Sequence, residues 1–527
     1  MQPAKEIMDF VLTEDVIGDQ GGISLKGAVR LVIDTNRRTD PQVQRWVMDM
    51  SKAFPAAVKE FVSRSELNAR RERKEGGVGP SGLKAQVSGV STNQQKVLTY
   101  IALAGQLDSS DIHLTLSKNE NITVIQMRIH GELEIIDEIT YDEGLSLVST
   151  IYRSMCDLLS TDFLENISQK GRVASEYARR AGVFGARYQH MPTPDGLYVV
   201  LRIIPDDSHK VPTLAQLGFL PEQQALSEKI LRIPEGMVTL TGPTGSGKST
   251  TLRSFSRGWL DRTQGKKRLL TIEFPVEGRI AGAIQTSVTP KGSSREDVAA
   301  AWEESNAAAL RSDPDSIVIG EMQERNSVMA AVHAVESGHI VLGTLHAPSA
   351  AGAIPRMASM GVNSQLIADA QIMIGLFSQR LVQTLCPHCR VSWSDKVSTL
   401  PADVRIRLEK YCDVPGVCQP TQLWFRHPDG CEHCQQKVEL TGRIVSRGVT
   451  GRTVLAEVIR PDARFMSLFL SHGTAVARQY WLQHLGGISR CRHLLQRLAE
   501  GLVDPLDGDL VCPLDEDELL SCEVPHV

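Results

Sequence analysis

The sequence predicts an α/β protein in which a small α+β domain precedes a parallel sheet covered by helices on both faces. Four short apolar runs, each bounded by turn residues and separated by helical sequence, indicate buried parallel strands; they cover residues 237–240, 269–272, 317–319 and 340–345. Upstream, strand-like runs at 122–129 and 197–204 alternate with a helical stretch at 142–159, a pattern typical of an α+β domain.

Length and composition exclude several classes of protein. The chain has 527 residues, of which 42% are hydrophobic, so it is neither wholly disordered nor collagen-like. Its net charge of −5 gives no support for a nucleic-acid partner, and we expect none. No apolar run reaches the ~18–20 residues of a membrane span, and the N-terminal sequence lacks the pattern of a signal peptide. We therefore expect a cytoplasmic protein.

The chain is predicted to contain six segments. Residues 63–95 begin with a charge run and continue with Gly- and Ser-rich sequence, which cannot bury a core and predicts a linker. The alternative for its basic cluster is a patch for membrane or nucleic acid. The segments are a module at 1–62, this linker, the α+β domain at 96–208, a phosphate-loop domain at 209–385, a cysteine-bearing insertion at 386–434 and a mostly helical C-terminal region at 435–527.

A phosphate-binding loop is the strongest motif. The stretch fits GxxxxGK[ST] at every fixed position, between a predicted strand and a predicted helix; its residues are Gly242, Pro243, Thr244, Gly245, Ser246, Gly247, Lys248 and Ser249, with Thr250 next. Glycines let backbone N–H groups curl around phosphate oxygens at a helix N-terminus. Lys248 neutralises phosphate charge, and the Ser249 hydroxyl suits Mg²⁺. The sequence therefore predicts binding of a nucleoside triphosphate.

Polar residues follow three of the other predicted strands. Glu273 and Glu321 each end an apolar run, and His346 ends a third. The carboxyl ends of parallel strands meet at one edge of a sheet, where ligands bind. Taken singly, each acid is also consistent with a helix cap or a solvated loop, and the histidine with a structural role. Beside a phosphate loop, the three suit a Mg²⁺ partner, a base that orients water and a γ-phosphate sensor.

Two CxxC pairs predict a metal site. Cys386 and Cys389 form one pair, and Cys431 and Cys434 form the other. Four thiolates from two tight turns match tetrahedral Zn²⁺, and a site with every position filled is structural. The alternative is two pairs of free or redox cysteines. Two further cysteines, Cys412 and Cys418, compete as ligands or are small buried thiols.

The order of these motifs resembles the secretion ATPases of type II secretion and type IV pilus assembly. The resemblance covers roughly residues 96–460. Besides the phosphate loop, it rests on an acidic box at 271–277, a divergent Walker B motif at 313–322, a histidine box at 338–346, Gln379-Arg380-Leu381 before the first CxxC pair, and the upstream motifs at 110–113, 128–131 and 170–172.

The resemblance implies a RecA-like P-loop ATPase domain, with ATP and Mg²⁺ as ligands and a structural Zn²⁺, preceded by a PAS-like α+β domain. Glu273 would polarise the attacking water, Glu321 would approach Mg²⁺ through a bound water, and His346 would act as a sensor. Two arginines of the preceding domain, Arg187 and Arg202, would reach the triphosphate. The family further implies a homo-oligomer, in the form of a hexameric ring, that works peripherally at the inner membrane through a platform protein.

The function predicted from this resemblance is ATP hydrolysis that drives pilus assembly, because the cysteine insertion accompanies assembly motors in the family. The alternative is an ATPase that powers type II protein secretion or a conjugative (type IV) secretion machine. A nucleotide-gated scaffold with little turnover is a third reading. It is favoured by Phe274, which stands where the family usually has aspartate.

Overall fold

The computed structural model describes residues 11–15, 29–35, 40–54, 57–62, 67, 91–157, 162–206, 211–292 and 294–523. The predicted linker and its basic cluster lie almost entirely outside these residues. The N-terminal part forms a three-stranded sheet with one helix. Its elements are β1 (Val11–Asp15), β2 (Val29–Asp34), α1 (Pro41–Ala53) and β3 (Val58–Val62). Strand β2 pairs antiparallel with β1 and parallel with β3.

The next part is a seven-stranded antiparallel sheet with helices packed on it. The strand order is β6-β5-β4-β10-β9-β8-β7. Its strands are β4 (Ser109–Ser117), β5 (Ile122–Ile129), β6 (Glu132–Thr140), β7 (Cys156–Asp157), β8 (Gln169–Val173), β9 (Val183–Thr193) and β10 (Gly196–Pro205), and its helices are α2 (Thr92–Gln106), α3 (Tyr141–Thr150) and α4 (Ser175–Arg180).

One helix of this domain is shorter than the sequence predicts. The helical stretch expected at 142–159 ends at Thr150 and continues as a single π-helical turn, Ile151–Met155. The chain then extends into β7, which pairs with β8. The π turn keeps Ile151, Tyr152 and Met155 buried. Pairing at the sheet edge therefore overrides the local helical pattern.

A second seven-stranded sheet follows and carries the phosphate loop. Its order is β13-β12-β14-β15-β11-β16-β21, with every pair parallel except the last, in which β21 runs antiparallel to β16. Its strands are β11 (Gly236–Thr241), β12 (Leu269–Glu273), β13 (Ile284–Ser287), β14 (Ser316–Ile319), β15 (Ile340–Leu345), β16 (Met373–Leu385) and β21 (Val449–Ile459). All residues of β11, β12, β14 and β15 are buried.

Helices separate these strands, as the alternating pattern predicts. They are α5 (Leu214–Leu217), α6 (Pro221–Ile230), α7 (Lys248–Thr263), α8 (Arg295–Leu310), α9 (Arg325–Glu336), α10 (Ala353–Ser359) and α11 (Ser364–Ile367). Hydrophobic clusters lie on both faces of the sheet, one around Ile317 and Trp481 and the other around Phe255 and Phe377. The parallel sheet is therefore buried on both sides, which parallel sheets require.

The cysteine-bearing insertion and the C-terminal region are built from short strands and helices. The strands are β17 (Val391–Ser392), β18 (Trp424–Phe425), β19 (Gln436–Lys437) and β20 (Ile444–Val445); the helices are α12 (Trp393–Lys396), α13 (Ala402–Cys412), α14 (Ala463–His472), α15 (Thr474–His484), α16 (Arg490–Ala499), α17 (Pro505–Val511) and α18 (Glu516–Leu519). Within the described ranges, no helix is long and apolar enough to cross a bilayer.

The hairpin formed by β19 and β20 packs against the antiparallel domain. Val438 and Val445 are buried in that domain's hydrophobic core. Nearby, Arg426 makes two hydrogen bonds to the Glu132 carboxylate, of 2.7 and 2.9 Å. The Thr441 hydroxyl donates to the backbone oxygen of Ile136 at 2.8 Å. These contacts join the insertion, through Arg426, and the hairpin that follows it to the domain that precedes the parallel sheet.

Candidate functional site

The predicted site residues converge at one edge of the parallel sheet. Strands β11, β12, β14 and β15 are neighbours and point the same way. The phosphate loop follows β11, Glu273 ends β12, and Glu321 and His346 follow β14 and β15. Their side chains therefore meet in the crevice beyond the carboxyl ends of the strands.

The phosphate loop has a backbone that favours glycine. Gly242, Gly245 and Gly247 have φ values of 149°, 77° and 83°. A Cβ on Gly242 would lie 2.5 Å from the backbone oxygen of Gln379, so a side chain there would push the loop off the neighbouring strand. The Gln379 side-chain amide also donates to the backbone oxygen of Ser246 at 2.6 Å. The loop is therefore held from β16 as well as by its own turn.

A cavity of about 140 Å³ opens beside this loop. Its lining brings together eight of the predicted site residues, namely Arg202, Thr244, Gly245, Lys248, Ser249, Glu273, Glu321 and His346. A larger groove of about 680 Å³ runs past the C-terminal half of α7 and is lined by none of these residues. The chemistry of the lining, rather than size, identifies the smaller cavity as the candidate site.

Lys248 is buried at the start of α7. Its ammonium group donates to the backbone oxygens of Gly242 and Pro243, both at 2.9 Å. Burial lowers the pKa of Lys248 from its ordinary value to about 8, although the carboxylates of Glu321 and Glu277 favour the charged form. The group thus titrates near neutral pH, and a bound polyanion would favour its charged state.

Glu273 is buried and held by three hydrogen bonds. Its Oε1 accepts from the Thr271 hydroxyl at 2.7 Å and from the Gln285 amide at 3.0 Å. Its Oε2 accepts from the backbone N–H of Glu277 at 3.3 Å. These bonds fix the carboxylate at the end of β12, facing the cavity, as a base that orients water requires.

Glu321 and His346 form a pair across β14 and β15. The Nε2 atom of His346 lies 2.8 Å from Oε1 of Glu321. The backbone beneath them is also tied, because the Thr344 hydroxyl donates to the Gly320 carbonyl at 2.6 Å. The acid and the histidine, which follow different strands, are therefore in direct contact at the cavity wall.

Both predicted arginines lie at the site, each beside a carboxylate. Arg202 lines the cavity, and its Nε lies 3.1 Å from Oδ1 of Asp111, a residue of its own domain. The Nη2 atom of Arg187 lies 2.6 Å from Oε1 of Glu277, which belongs to the loop after β12. The antiparallel domain therefore supplies two guanidinium groups to the edge of the parallel sheet.

Several residues of the site were not singled out from the sequence as functional. Glu277 contacts Arg187 and also accepts from the Ser249 hydroxyl at 3.0 Å. Gln285 holds Glu273, and Gln379 holds the phosphate loop. Glu277 is the last residue of the acidic box, and Gln379 stands in a motif quoted for the resemblance. Both residues thus stand in motifs that the sequence shows, but a search for polar residues at strand ends does not reach Glu277, which lies four residues beyond the end of β12.

The four predicted metal-ligand cysteines form a cluster. The Sγ atoms of Cys386, Cys389, Cys431 and Cys434 all lie within 4.8 Å of one another. Three of the separations are 3.8, 3.9 and 3.9 Å. Four thiolates around Zn²⁺ at ~2.3 Å would be roughly 3.8 Å apart in a tetrahedron. The donor set and its spacing therefore fit zinc.

The surroundings of the cluster show how one of its sulfurs is hydrogen-bonded and where the two remaining cysteines of the insertion lie. The backbone N–H groups of Cys431 and Gly448 point at the Cys434 sulfur, at 3.1 and 3.2 Å, as in thiolate sites that need hydrogen-bonded ligands. Cys412 and Cys418 lie apart from the cluster, in a hydrophobic core. The structure therefore confirms that these two cysteines are small buried thiols and not ligands of the cluster.

Comparison with known proteins decides the family. The model of the type II/IV secretion system protein family matches residues 91–486. The chain belongs to this family. The match confirms the resemblance to secretion and pilus ATPases, and it spans both the antiparallel domain and the phosphate-loop sheet.

Curated relatives within the family are about a third identical to this chain over the region that matches. The type II secretion system protein E of Pseudomonas aeruginosa is 33% identical over 362 residues, which are 68% of this chain and 64% of that protein. The type II secretion system ATPase E of Vibrio cholerae is 30% identical over 365 residues, 69% of this chain and 64% of that protein. The matched region thus spans less than two thirds of the relatives' length.

Solved structures share the fold at lower identity. The pilus retraction motor PilT with bound ADP matches with a TM-score of 0.50 and 23% identity, over 80% of this chain and 98% of that one. The ATPase DotB of Legionella pneumophila matches with a TM-score of 0.51 and 19% identity, over 81% of this chain and 97% of that one. This chain therefore shares its mixed α/β architecture with PilT and DotB.

Proposed function

We propose that this chain is a Mg²⁺-dependent ATPase that powers type II protein secretion. The observation that carries the proposal is that one cavity brings together a phosphate loop, three acids, a histidine and an arginine of another domain. The curated relatives are named type II secretion system proteins. They favour the alternative reading of the sequence over its main prediction, pilus assembly, which no comparison supports specifically.

The residues of the cavity suit ATP hydrolysis. The glycine-rich turn and the start of α7 direct backbone N–H groups at phosphate oxygens, and Lys248 neutralises their charge. Glu273, held by its three hydrogen bonds, orients the attacking water and accepts its proton. Arg187 and Arg202 stabilise charge on the transferring phosphoryl group, for which a guanidinium is suited because it stays charged and presents a fork of donors.

Oxygen ligands for Mg²⁺ lie beside the loop. The Ser249 hydroxyl and the Glu321 carboxylate are the hard donors that Mg²⁺ prefers. Ser249 would hold the ion directly and Glu321 through a water, while His346, paired with Glu321, would respond to the γ-phosphate. When bound, the ion supplies charge neutralisation between the phosphates.

The proposed motor works by assembly and domain movement. A RecA-like phosphate-loop domain in a ring of six copies would close on ATP against the preceding domain and reopen after hydrolysis. The four cysteines would hold a structural Zn²⁺. The ring would act on a platform protein at the inner membrane. The ring, the Zn²⁺ and the platform protein are inferred from the family. The closing step is supported by the two arginines of the preceding domain that lie at the edge of the sheet.

A secretion assay separates the two readings of the function. Cells that lack this chain would be complemented with wild type or with Lys248→Ala, and exoproteins in the medium and surface filaments would be counted together. We expect exoproteins to disappear and to return only with wild type, while filaments stay unchanged. Lost filaments with normal secretion would instead establish pilus assembly and contradict the proposal.

A further inference from the structure

Glu277 connects two groups that belong to different domains. One carboxylate oxygen, Oε1, lies 2.6 Å from Nη2 of Arg187 on β9. The other, Oε2, accepts a hydrogen bond from the Ser249 hydroxyl at the start of α7, at 3.0 Å. The carboxylate is therefore shared between an arginine of the antiparallel domain and the hydroxyl that the proposed function assigns to Mg²⁺.

The turn that carries Glu277 is fixed independently of these two contacts. The backbone N–H of Glu277 donates to Oε2 of Glu273 at 3.3 Å. The Gln285 amide donates both to Glu273 and to the Gly278 carbonyl, at 3.0 and 2.8 Å. Gly278 has φ 147°, and a Cβ there would lie 2.3 Å from Arg253 Nη1. The position of Glu277 is therefore set by Glu273, Gln285 and the turn at Gly278.

Stability does not account for this arrangement. The side chains of Arg187 and Glu277 are 32% and 40% exposed, and ion pairs that are open to water contribute little to the free energy of unfolding. Orientation is what the contacts provide. A carboxylate that accepts the hydrogen bond of the Ser249 hydroxyl leaves the lone pairs of Oγ free to face a cation.

We propose that Glu277 is a positioning residue that couples Mg²⁺ binding at Ser249 to the placement of Arg187. The inference rests on the proposed function, since it concerns the same site. Through Glu277, the orientation of the metal-ligating hydroxyl depends on where the antiparallel domain stands. Loss of the carboxylate charge weakens both contacts at once and separates the metal site from the arginine.

Nucleotide binding at varied Mg²⁺ tests the coupling without any measurement of turnover. A fluorescent ATP analogue would be titrated onto the full chain, with Mg²⁺ varied and with the ion chelated. Because partners of metal ligands typically change metal affinity by about 10–100-fold, we expect Glu277→Gln to raise the Mg²⁺ concentration at half-saturation about tenfold. Binding with the ion chelated should stay close to the wild-type value.

Asp111→Asn is the matched control. Asp111 pairs with the other arginine, Arg202, at 3.1 Å, but the contacts of its carboxylate lie within its own domain. This variant should weaken nucleotide binding equally with and without Mg²⁺ and leave the half-saturating concentration unchanged. Thermal melts of both variants would verify that each is folded.

A second variant tests the connection to Arg187. Arg187→Gln should raise the half-saturating Mg²⁺ concentration in the wild-type chain but not in the Glu277→Gln chain. An unchanged half-saturation in Glu277→Gln, or an equal effect of Arg187→Gln in both chains, would overturn the inference while the ATPase proposal stands. A wild-type chain that binds no nucleotide would overturn both.

Discussion

Lys248 shows how the environment of one residue sets a measurable property. The side chain is buried, and burial brings its pKa down to about 8, whereas an unfolded lysine titrates near 10.5. Between these pH values the unfolded chain holds more protons than the folded one, so this group makes the folded state more stable as pH rises through that window. Phosphate binding, by contrast, weakens as pH rises through that window, because it requires the charged form of Lys248.

Nucleotide binding at pH 8 should therefore take up a proton. Lys248, with a pKa of about 8, is partly deprotonated near that pH, and the bound triphosphate favours the charged form, so we expect uptake of a fraction of a proton per nucleotide. Calorimetry in two buffers of different ionisation enthalpy measures this number. Lys248→Arg is the matched control, since a guanidinium stays charged and should abolish the uptake. Equal binding heats in both buffers for wild type would contradict the prediction.

At the same scale, the sequence predicts some site residues and misses others for a clear reason. Glu273, Glu321 and His346 each lie at the carboxyl end of a buried strand or within two residues of it, and parallel topology alone brings strand ends together. Glu277 acts through contacts with Ser249 and Arg187, which are 28 and 90 positions away in the chain. No local pattern encodes such contacts, because they depend on how two domains are placed.

At the scale of elements, the cysteine cluster is a small unit whose order we expect to depend on a bound metal. The segment between the two CxxC pairs contains only short helices and strands, and a structural metal contributes folding free energy to such a unit. The hairpin that follows it packs its Val438 and Val445 side chains into the antiparallel domain. If the insertion loses its folded structure, we therefore expect the packing of Val438 and Val445 against the antiparallel domain to weaken as well.

Removal of two ligands tests this dependence. The double variant Cys386→Ser, Cys431→Ser should lose about one Zn²⁺ per chain, by the four-ligand argument, and amides of the β19–β20 hairpin should exchange with solvent faster. Metal analysis and hydrogen exchange measure the two effects. Cys522→Ser, outside the cluster, should change neither. Wild-type protein purified without zinc would contradict the prediction.

Elements were predicted best where a local pattern is complete. The runs at 122–129 and 340–345 coincide with β5 and β15, because alternation or uniform burial marks a strand without help from elsewhere. Strand β21 was not predicted. It lies in the C-terminal region but pairs with β16, more than sixty positions earlier, and such long-range pairing leaves no local signal.

At the scale of the whole molecule, function depends on how domains meet. The antiparallel domain contacts the rest of the described chain at the site, through Arg187 and Glu277, and at the insertion, through Arg426 and Glu132. The motif order in the sequence predicts that two domains share a nucleotide. It does not predict the contact between Arg426 and Glu132, because that contact depends on tertiary packing between segments far apart in the chain.

Steady-state ATP hydrolysis by the full chain tests the central claim most directly. We expect wild type to hydrolyse ATP with Mg²⁺, Lys248→Ala to lose turnover, and Glu273→Gln to bind ATP but hydrolyse it about 10²–10⁴-fold more slowly, as loss of a general base predicts. Glu304→Gln, an exposed acid on α8, is the matched control and should behave as wild type. Undiminished hydrolysis by Lys248→Ala or Glu273→Gln would contradict the account.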